Sequence, residues 1–396
     1  MRRWLDNLEQ FAVDVILERR FGKKAAVFRW FLYGLSKIYL LIVQLRIWMY
    51  QKRILRDRQM GCPVISIGNI TVGGTGKTPV VEKFARELQD RGRKVAILSR
   101  GYKSRRPPLL KRIKMRLTGE SNPAIPRIVS DGKALLMESR EAGDEPYMLA
   151  KNLKDVIVIS EKDRVKSGLY AINKFKVDTL LLDDGYQHLR LNHRLDIVLV
   201  DRQAPFGNGY LLPRGTLREP PQNLKRARYI FITKADPDGN EDLIQKIRKY
   251  NRTAEIIECT HKPLYLQNLY SDERLPLEYL KDRYVGSVCA IAAPGSFEGA
   301  LRELGANLEI AKQFADHHRF SAQELEGFIR RCIRRDLDAI ITTEKDAVRF
   351  PKLQDLELPV YFLRVEIEIH KGHENWEKCV DRICETKPLI APERLF

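Results

Sequence analysis

The chain has 396 residues, 44% of them apolar, without low-complexity tracts or internal repeats; this excludes a disordered or repetitive protein and sets two domains as the expectation. Lys and Arg total 70 against 52 Asp and Glu, a net charge of +18, so the partner sought is polyanionic: nucleic acid, anionic lipid or a phosphorylated substrate. The six cysteines form no C-x-x-C pair and have no histidine cluster beside them, which excludes a disulfide framework or a metal cage and suits a reducing cytosol.

Residues 28–50 are rich in aromatic and aliphatic side chains, yet Arg29, Lys37 and Arg46 interrupt every uncharged run well before the ~20 residues of a spanning helix. Arg29, Ser36, Lys37, Gln44 and Gln51 recur seven or eight apart on one narrow polar sector of an otherwise apolar helix. With cations before and after it, this pattern predicts an amphipathic helix lying in a membrane interface; a core helix of the first domain is the alternative.

The run 63–68 reads as a buried parallel strand, 79–90 as an amphipathic helix and 94–98 as the next strand. Strand, glycine turn, helix and strand make a crossover unit, which predicts an α/β domain with a parallel sheet. Further strands are expected at 156–160, 177–182, 195–200 and 228–233. Residues 103–127 carry eight Lys or Arg against one Glu, with four prolines, and predict an exposed basic insertion. From residue 284 a strand at 285–293, a helix at 297–304 and strands at 337–342 and 359–365 predict a second, smaller α/β domain. The expected division is 1–54 for the interface helix, 55–265 for a P-loop core and 266–396 for the smaller domain and tail.

The turn Thr71, Val72, Gly73, Gly74, Thr75, Gly76, Lys77, Thr78 lies between the first strand and its helix. Backbone amides converging at a helix N-terminus hold phosphate, and glycines let the chain curl around the anion. Lys77 would reach the terminal phosphates and the Thr78 hydroxyl would bind Mg²⁺, which makes a nucleoside triphosphate with Mg²⁺ the expected ligand. Thr71 stands where the general signature has glycine. Asp183 and Asp184 end an apolar strand at the sheet edge where ligands sit, and paired carboxylates there suit a metal or metal-bound water. Phosphoryl transfer to an alcohol also needs a base and cations: Asp144 and His317 are candidate bases, and Arg164, Arg214 and Arg218 candidate cations. Thr233, Lys234, Ala235 and Asp236 resemble a guanine-reading element, so a P-loop GTPase or metallochaperone-like switch is the rival reading. No helix-turn-helix, zinc or RNA-stacking motif accompanies the charge, which argues against nucleic acid.

The strings SIGNITVGGTGKTP, ILSRGY, GDEPYMLA, DDGYQHLRL, DIVLVD, FGNGYLLPRGTLREP, ADHHRF and TEKDAVRF, in this order, resemble the tetraacyldisaccharide 4'-kinase family of lipid A biosynthesis. The resemblance implies ATP- and Mg²⁺-dependent phosphorylation of the 4'-hydroxyl of a tetraacylated glucosamine disaccharide 1-phosphate at the cytoplasmic face of the inner membrane. No stable protein partner is expected. It places the P-loop lysine and threonine on Lys77 and Thr78, the catalytic aspartate on Asp144 and its partner histidine on His317. Glu145 and Glu219 match acidic residues linked to Mg²⁺, while Asp183, Asp184, Arg164 and Arg218 match polar residues around phosphates and substrate; Arg214, a candidate cation by residue type, is expected to bind substrate as well. Thr71 fits this family's own loop. Closure of two domains is expected to bring His317 to Asp144 over bound ATP.

Overall fold

The computed structural model describes residues 10–101, 125–353 and 356–385. Most of the basic insertion expected at 103–127 lies outside them, as does the end of the C-terminal tail. In chain order the elements are α1 (Lys23–Gln51), β1 (Val64–Asn69), α2 (Lys77–Asp90), β2 (Val95–Ser99), β3 (Ile128–Asp131), α3 (Ser139–Ala142), α4 (Asp144–Asn152), β4 (Ile157–Ser160), α5 (Arg164–Phe175), β5 (Thr179–Asp183), β6 (Leu195–Asp201) and β7 (Tyr229–Thr233). They continue with α6 (Glu241–Arg248), β8 (Glu255–Asn268), β9 (Arg274–Leu275), β10 (Tyr284–Cys289), α7 (Pro294–Glu303), β11 (Asn307–Gln313), α8 (Ala322–Ile333), β12 (Ala339–Thr343), α9 (Glu344–Ala347), β13 (Val360–Lys371) and α10 (His373–Cys384). The α/β class with mainly parallel pairing, a strand–loop–helix phosphate motif and an apolar N-terminal helix is as the sequence requires.

The chain divides into two compact units, each discontinuous. Unit 1 comprises Met1–Lys77, Leu181–Thr260 and Ile369–Phe396. In it β1 pairs in parallel with β6, β6 with β7 and β7 with β8. Every residue of β1 is buried, as expected of a strand covered on both faces. Ile70, Tyr186, Val198, Leu217, Leu224, Ile230 and Ile247 belong to the core of this unit. Gly68 is required by close approach: a Cβ there would sit 2.8 Å from the backbone nitrogen of Tyr186. The tail whose docking the sequence does not reveal forms α10, which buries Trp376, Cys379, Val380 and Ile383 at helical spacing. Trp376 meets Phe231 of β7 edge to face at 6.2 Å.

Unit 2 comprises Thr78–Leu180 and His261–Glu368. Here β2 pairs in parallel with β4, β3 runs antiparallel to β4, and β11, β10, β12 and β13 pair in parallel in that order. In α2 the apolar positions Val80, Val81, Phe84, Ala85 and Leu88 are all buried, one stripe at helical spacing. Pro79 falls in the first turn, where its missing N–H is an orphan anyway. The strand expected at 285–293 stops at Cys289, because Pro294 already opens α7. Residues 241–248, 307–313 and 322–333, which carry no assignment from the sequence, form α6, β11 and α8; α8 is fixed by a capping box between Ser321 and Glu324.

α1 has 29 residues, about 43 Å at 1.5 Å per residue, and is long and apolar enough by length and composition to cross a membrane. Only Ala25, Leu32, Ser36 and Ile47 of it are buried, so it is not a core helix. Ser36 and Arg29, from the polar sector, turn toward protein: the Ser36 hydroxyl donates to the Tyr33 carbonyl, and Arg29 donates to the carbonyls of Val15 and Arg20. The opposite arc is bare hydrocarbon, with Val27, Trp30, Phe31, Ile38, Leu41, Ile42 and Leu45 exposed, Trp30 to 77% and Leu41 to 68%. A contiguous apolar arc of this size marks an interaction surface, and the helix is compatible with peripheral membrane association.

Candidate active site

The phosphate loop joins β1 to α2 within unit 1, up to Lys77. Gly73 and Gly76 have φ of 118° and 74°, a region that side-chain-bearing residues enter only at a cost. The rim is tied down: the Val72 amide donates to the Thr216 carbonyl at 2.7 Å, and the Thr233 hydroxyl donates to the Thr75 carbonyl at 3.0 Å. Thr71 is buried and pairs with Leu217. Behind the loop, Asn69 donates to the hydroxyls of Thr71 and Thr75 and accepts from the Lys77 ammonium at 3.3 Å. The side-chain acceptor of Asn69 thus holds the lysine, a role not legible in the sequence.

Lys77 Nζ is also 3.8 Å from the Asp184 carboxylate, and Arg218 Nη1 donates to both Asp184 oxygens at 2.7 Å. Asp184 has a positive φ of 54°, a strained conformation of the kind that clusters at functional sites. Unit 1 therefore brings three sequence candidates together as Lys77, Asp184 and Arg218, and Asp183 is buried beside them in sequence at the end of β5. Glu219 is buried and engaged: it accepts from Gln187, Asn223 and Arg226. Arg214 is also buried, donating to Glu18 at 2.7 Å with its guanidinium over the Tyr210 ring. Tyr39 of α1 donates its hydroxyl to the Arg218 carbonyl at 3.0 Å, tying the exposed helix to the segment that carries Arg218.

The second cluster lies wholly within unit 2. Asp144 opens α4, where a carboxylate is favoured by the helix dipole. His317 Nδ1 lies 3.2 Å from Asp144 Oδ2, so the pair is already formed inside one unit and no closure between domains is needed to make it. The expectation of assembly by closure is corrected on this point. The His317 backbone is held at φ 66° by a hydrogen bond from its amide to the Ala290 carbonyl. Two arginines that the sequence reading passed over complete the cluster: Arg319 donates to Asp144 Oδ1 at 3.0 Å and Arg349 to Oδ2 at 2.8 Å. Burial pushes the Asp144 carboxyl up, but the hydrogen bond from His317 and the charges of Arg349 and Arg319 outweigh it and hold the group below the usual carboxylate range. Both arginines stand inside the family strings ADHHRF and TEKDAVRF, which was the available signal.

Glu145, next in α4, pairs with Lys345 at 3.4 Å, and Lys345 approaches Asp316 at 3.9 Å. Arg164 is buried at the start of α5 with its Nε donating to the Leu98 carbonyl. Thr78, the second residue of α2, is buried. Farther along α2, Glu82 shares the buried Arg364 with Glu344, binding α2, α9 and β13 into one ionic core that the sequence did not reveal. In unit 1 the Thr233–Asp236 element is engaged by the end of β6: Lys234 pairs with Asp201 at 2.6 Å and Asp236 with Arg202 at 2.8 Å.

Among the described residues no group of three or more His, Cys, Asp or Glu side chains is placed to hold a metal ion. The hydroxyl of Thr78 and the carboxylates of Asp183 and Asp184 are nevertheless hard oxygen donors of the kind Mg²⁺ takes when phosphates and water supply its remaining ligands. A glycine-rich anion loop between a parallel strand and a helix N-terminus, with its lysine held by Asn69 and Asp184, defines a P-loop nucleotide-binding protein.

The chain matches the family described as LpxK, Tetraacyldisaccharide-1-P 4'-kinase, over residues 28–385, and it belongs to that family. It is 36% identical over 353 residues to the tetraacyldisaccharide 4'-kinase of Halothermothrix orenii, covering 85% of this chain and 88% of that protein. The Anaeromyxobacter dehalogenans enzyme of the same name is 40% identical over 304 residues, 76% of each chain. The crystal structure of LpxK from Aquifex aeolicus in complex with ATP superposes with a TM-score of 0.69 at 30% identity, over 90% of this chain and 99% of that one. The chain is accordingly a kinase of lipid A biosynthesis, and the GTPase or metallochaperone-like reading is not favoured.

Proposed function

We propose that this kinase uses ATP with Mg²⁺ to phosphorylate the 4'-hydroxyl of a tetraacyldisaccharide 1-phosphate at the cytoplasmic face of the inner membrane. The observation that carries the donor side is the loop 71–78, whose amides open onto the N-terminus of α2 beside Lys77. The loop amides bind the phosphate chain of ATP, and Lys77 balances its charge. Thr78, Asp183 and Asp184 are the residues that would hold Mg²⁺, which when bound neutralises charge on the transferring phosphoryl group. Glu145 and Glu219, paired with cations in this structure, act on the ion indirectly, by ordering the residues around it. Arg218 holds Asp184 and faces the anionic group, with Arg164 and Arg214 supporting substrate binding.

On the acceptor side Asp144, kept ionised, accepts the proton of the 4'-hydroxyl. The hydroxyl oxygen forms its bond to the γ-phosphorus as the bond to the β-phosphate oxygen breaks, and ADP leaves. His317 orients Asp144. The bare arc of α1 lies in the acyl boundary of the bilayer, and the net charge of +18 holds the protein to anionic lipid. Donor choice tests the reading: turnover is expected with ATP and lost in Lys77→Ala. Turnover with GTP alone, or an active Lys77→Ala protein, would overturn it.

A further inference from the structure

Asp144 is gripped from elements far from it in sequence. The charged groups facing it are His317 and Arg319, on the loop between β11 and α8, and Arg349, just beyond α9. Behind these stand Asp346 against Arg349, Asp316 at 3.8 Å from His317 Nε2, and Lys345 between Asp316 and Glu145. Arg349 differs from Arg319 in having a side chain with no exposure at all.

The Arg349 guanidinium is fixed from both sides. Nε donates to Asp144 Oδ2 at 2.8 Å, and Nη1 donates to the Ala290 carbonyl at 3.1 Å and to Asp346 Oδ1 at 2.9 Å. Nη2 lies 3.1 Å from His317 Nδ1. Asp346 is itself held, accepting from the Ala290 amide at 3.0 Å and the Thr343 hydroxyl at 2.7 Å. One planar fork therefore spans the end of β10, the carboxylate of Asp144 and the imidazole of His317. His317 Nδ1 can serve one neighbour at a time: unprotonated it accepts from Arg349, and protonated it donates to Asp144. Asp144 is held by Arg349 in either case.

We propose that Arg349 is a positioning residue for phosphoryl transfer, with Asp346 as its anchor: it fixes the direction of the Asp144 carboxylate toward the acceptor and keeps that carboxylate charged whichever nitrogen of His317 carries the proton. The proposal rests on the reading of Asp144 as the base. Lysine at 349 would supply charge without the rigid fork, and methionine would supply neither. The two functions of Arg349 are therefore separable.

The test measures kcat and the KM for ATP across pH for the full-length wild type, Arg349→Lys, Arg349→Met and Asp144→Asn, with circular dichroism at each pH to count folded protein. In Arg349→Met the expected result is a kcat lowered by roughly 10²-fold, the cost of misplacing a reacting group by about 1 Å, with KM for ATP unchanged. Its acid limb moves to higher pH. Arg349→Lys restores the acid limb but not the full kcat. A folded Arg349→Met protein with the wild-type profile overturns the proposal, as does a loss explained by unfolded protein with an unshifted acid limb. Should Arg349→Met not fold, wild-type kcat in Arg349→Lys overturns it. Undiminished turnover by Asp144→Asn would instead remove the base itself, a failure distinct from that of Arg349.

Discussion

Replacing Arg364 with methionine would remove the cation shared by Glu82 and Glu344 while keeping most of the volume. Arg364 has 5% of its side chain exposed, and its Nη1 donates to both Glu344 oxygens at 2.8 and 2.7 Å. Removing one partner of a buried ion pair costs about 3–5 kcal/mol, because the other charge is left uncompensated. Asn152, which donates to Glu82 and to Glu344, and the half-exposed Arg86 beside Glu82 keep the expected loss near the lower end. At roughly 2–4 °C per kcal/mol for a unit of 150–250 residues, the melting temperature should fall by about 6–15 °C. The pH dependence has a definite sign. Burial holds the Glu344 carboxyl above its ordinary value, against the opposing charge of Arg364. A carboxyl raised on folding contributes stability below its unfolded pKa and loses it as pH rises through the folded value. Without Arg364 that folded value rises further, so the variant's deficit should be larger at pH 8 than at pH 5. Thermal melts followed by circular dichroism at the two pH values are the assay. A melting temperature within about 2 °C of wild type at both would refute the assignment of this cluster as the tie between α2, α9 and β13.

Four further outcomes are expected. Glutamate at Ile38, Leu41 and Leu45 together should abolish flotation with anionic vesicles while leaving ATP binding intact, since these side chains face away from the body of unit 1; undiminished flotation would show that α1 is not the membrane contact. Because the Asp144 carboxyl is held below the usual range, kcat should keep its plateau to lower pH than an ordinary carboxylate base allows and fall as pH drops through the depressed value. Arg319→Met should move that limb upward, and an unmoved limb would separate Arg319 from the base. Arg218→Met, which releases both Asp184 oxygens, should lower kcat by roughly 10²-fold, as removal of one charge-stabilising donor does elsewhere; a normal kcat would leave the Arg218–Asp184 pair a structural one.

The phosphate loop was legible because its chemistry is local: glycines, lysine and threonine must follow one strand and open one helix. The interface helix was legible as apolar, yet its polar sector misled in part, since Ser36 and Arg29 are spent on protein carbonyls while the apolar arc is bare. Asp144 and His317 were legible singly as candidate bases, but only the family strings paired them, because they lie 173 positions apart. Arg349 could not be read at all as a ligand of Asp144, since no short-range pattern connects positions 144 and 349. The tail helix α10 went unread for a different reason: with Trp376, Cys379, Val380 and Ile383 its apolar stripe is short and its remaining positions are charged.

Where the phosphoryl group goes is the most direct test of the 4'-kinase reading. Wild-type protein given ATP, Mg²⁺ and a tetraacyldisaccharide 1-phosphate in anionic mixed micelles should yield a bisphosphate whose new phosphorus resonance couples to the 4'-position. No such product should form with Lys77→Ala. A folded wild-type protein that hydrolyses ATP without phosphorylating the disaccharide, or that places phosphate at another hydroxyl, would contradict it.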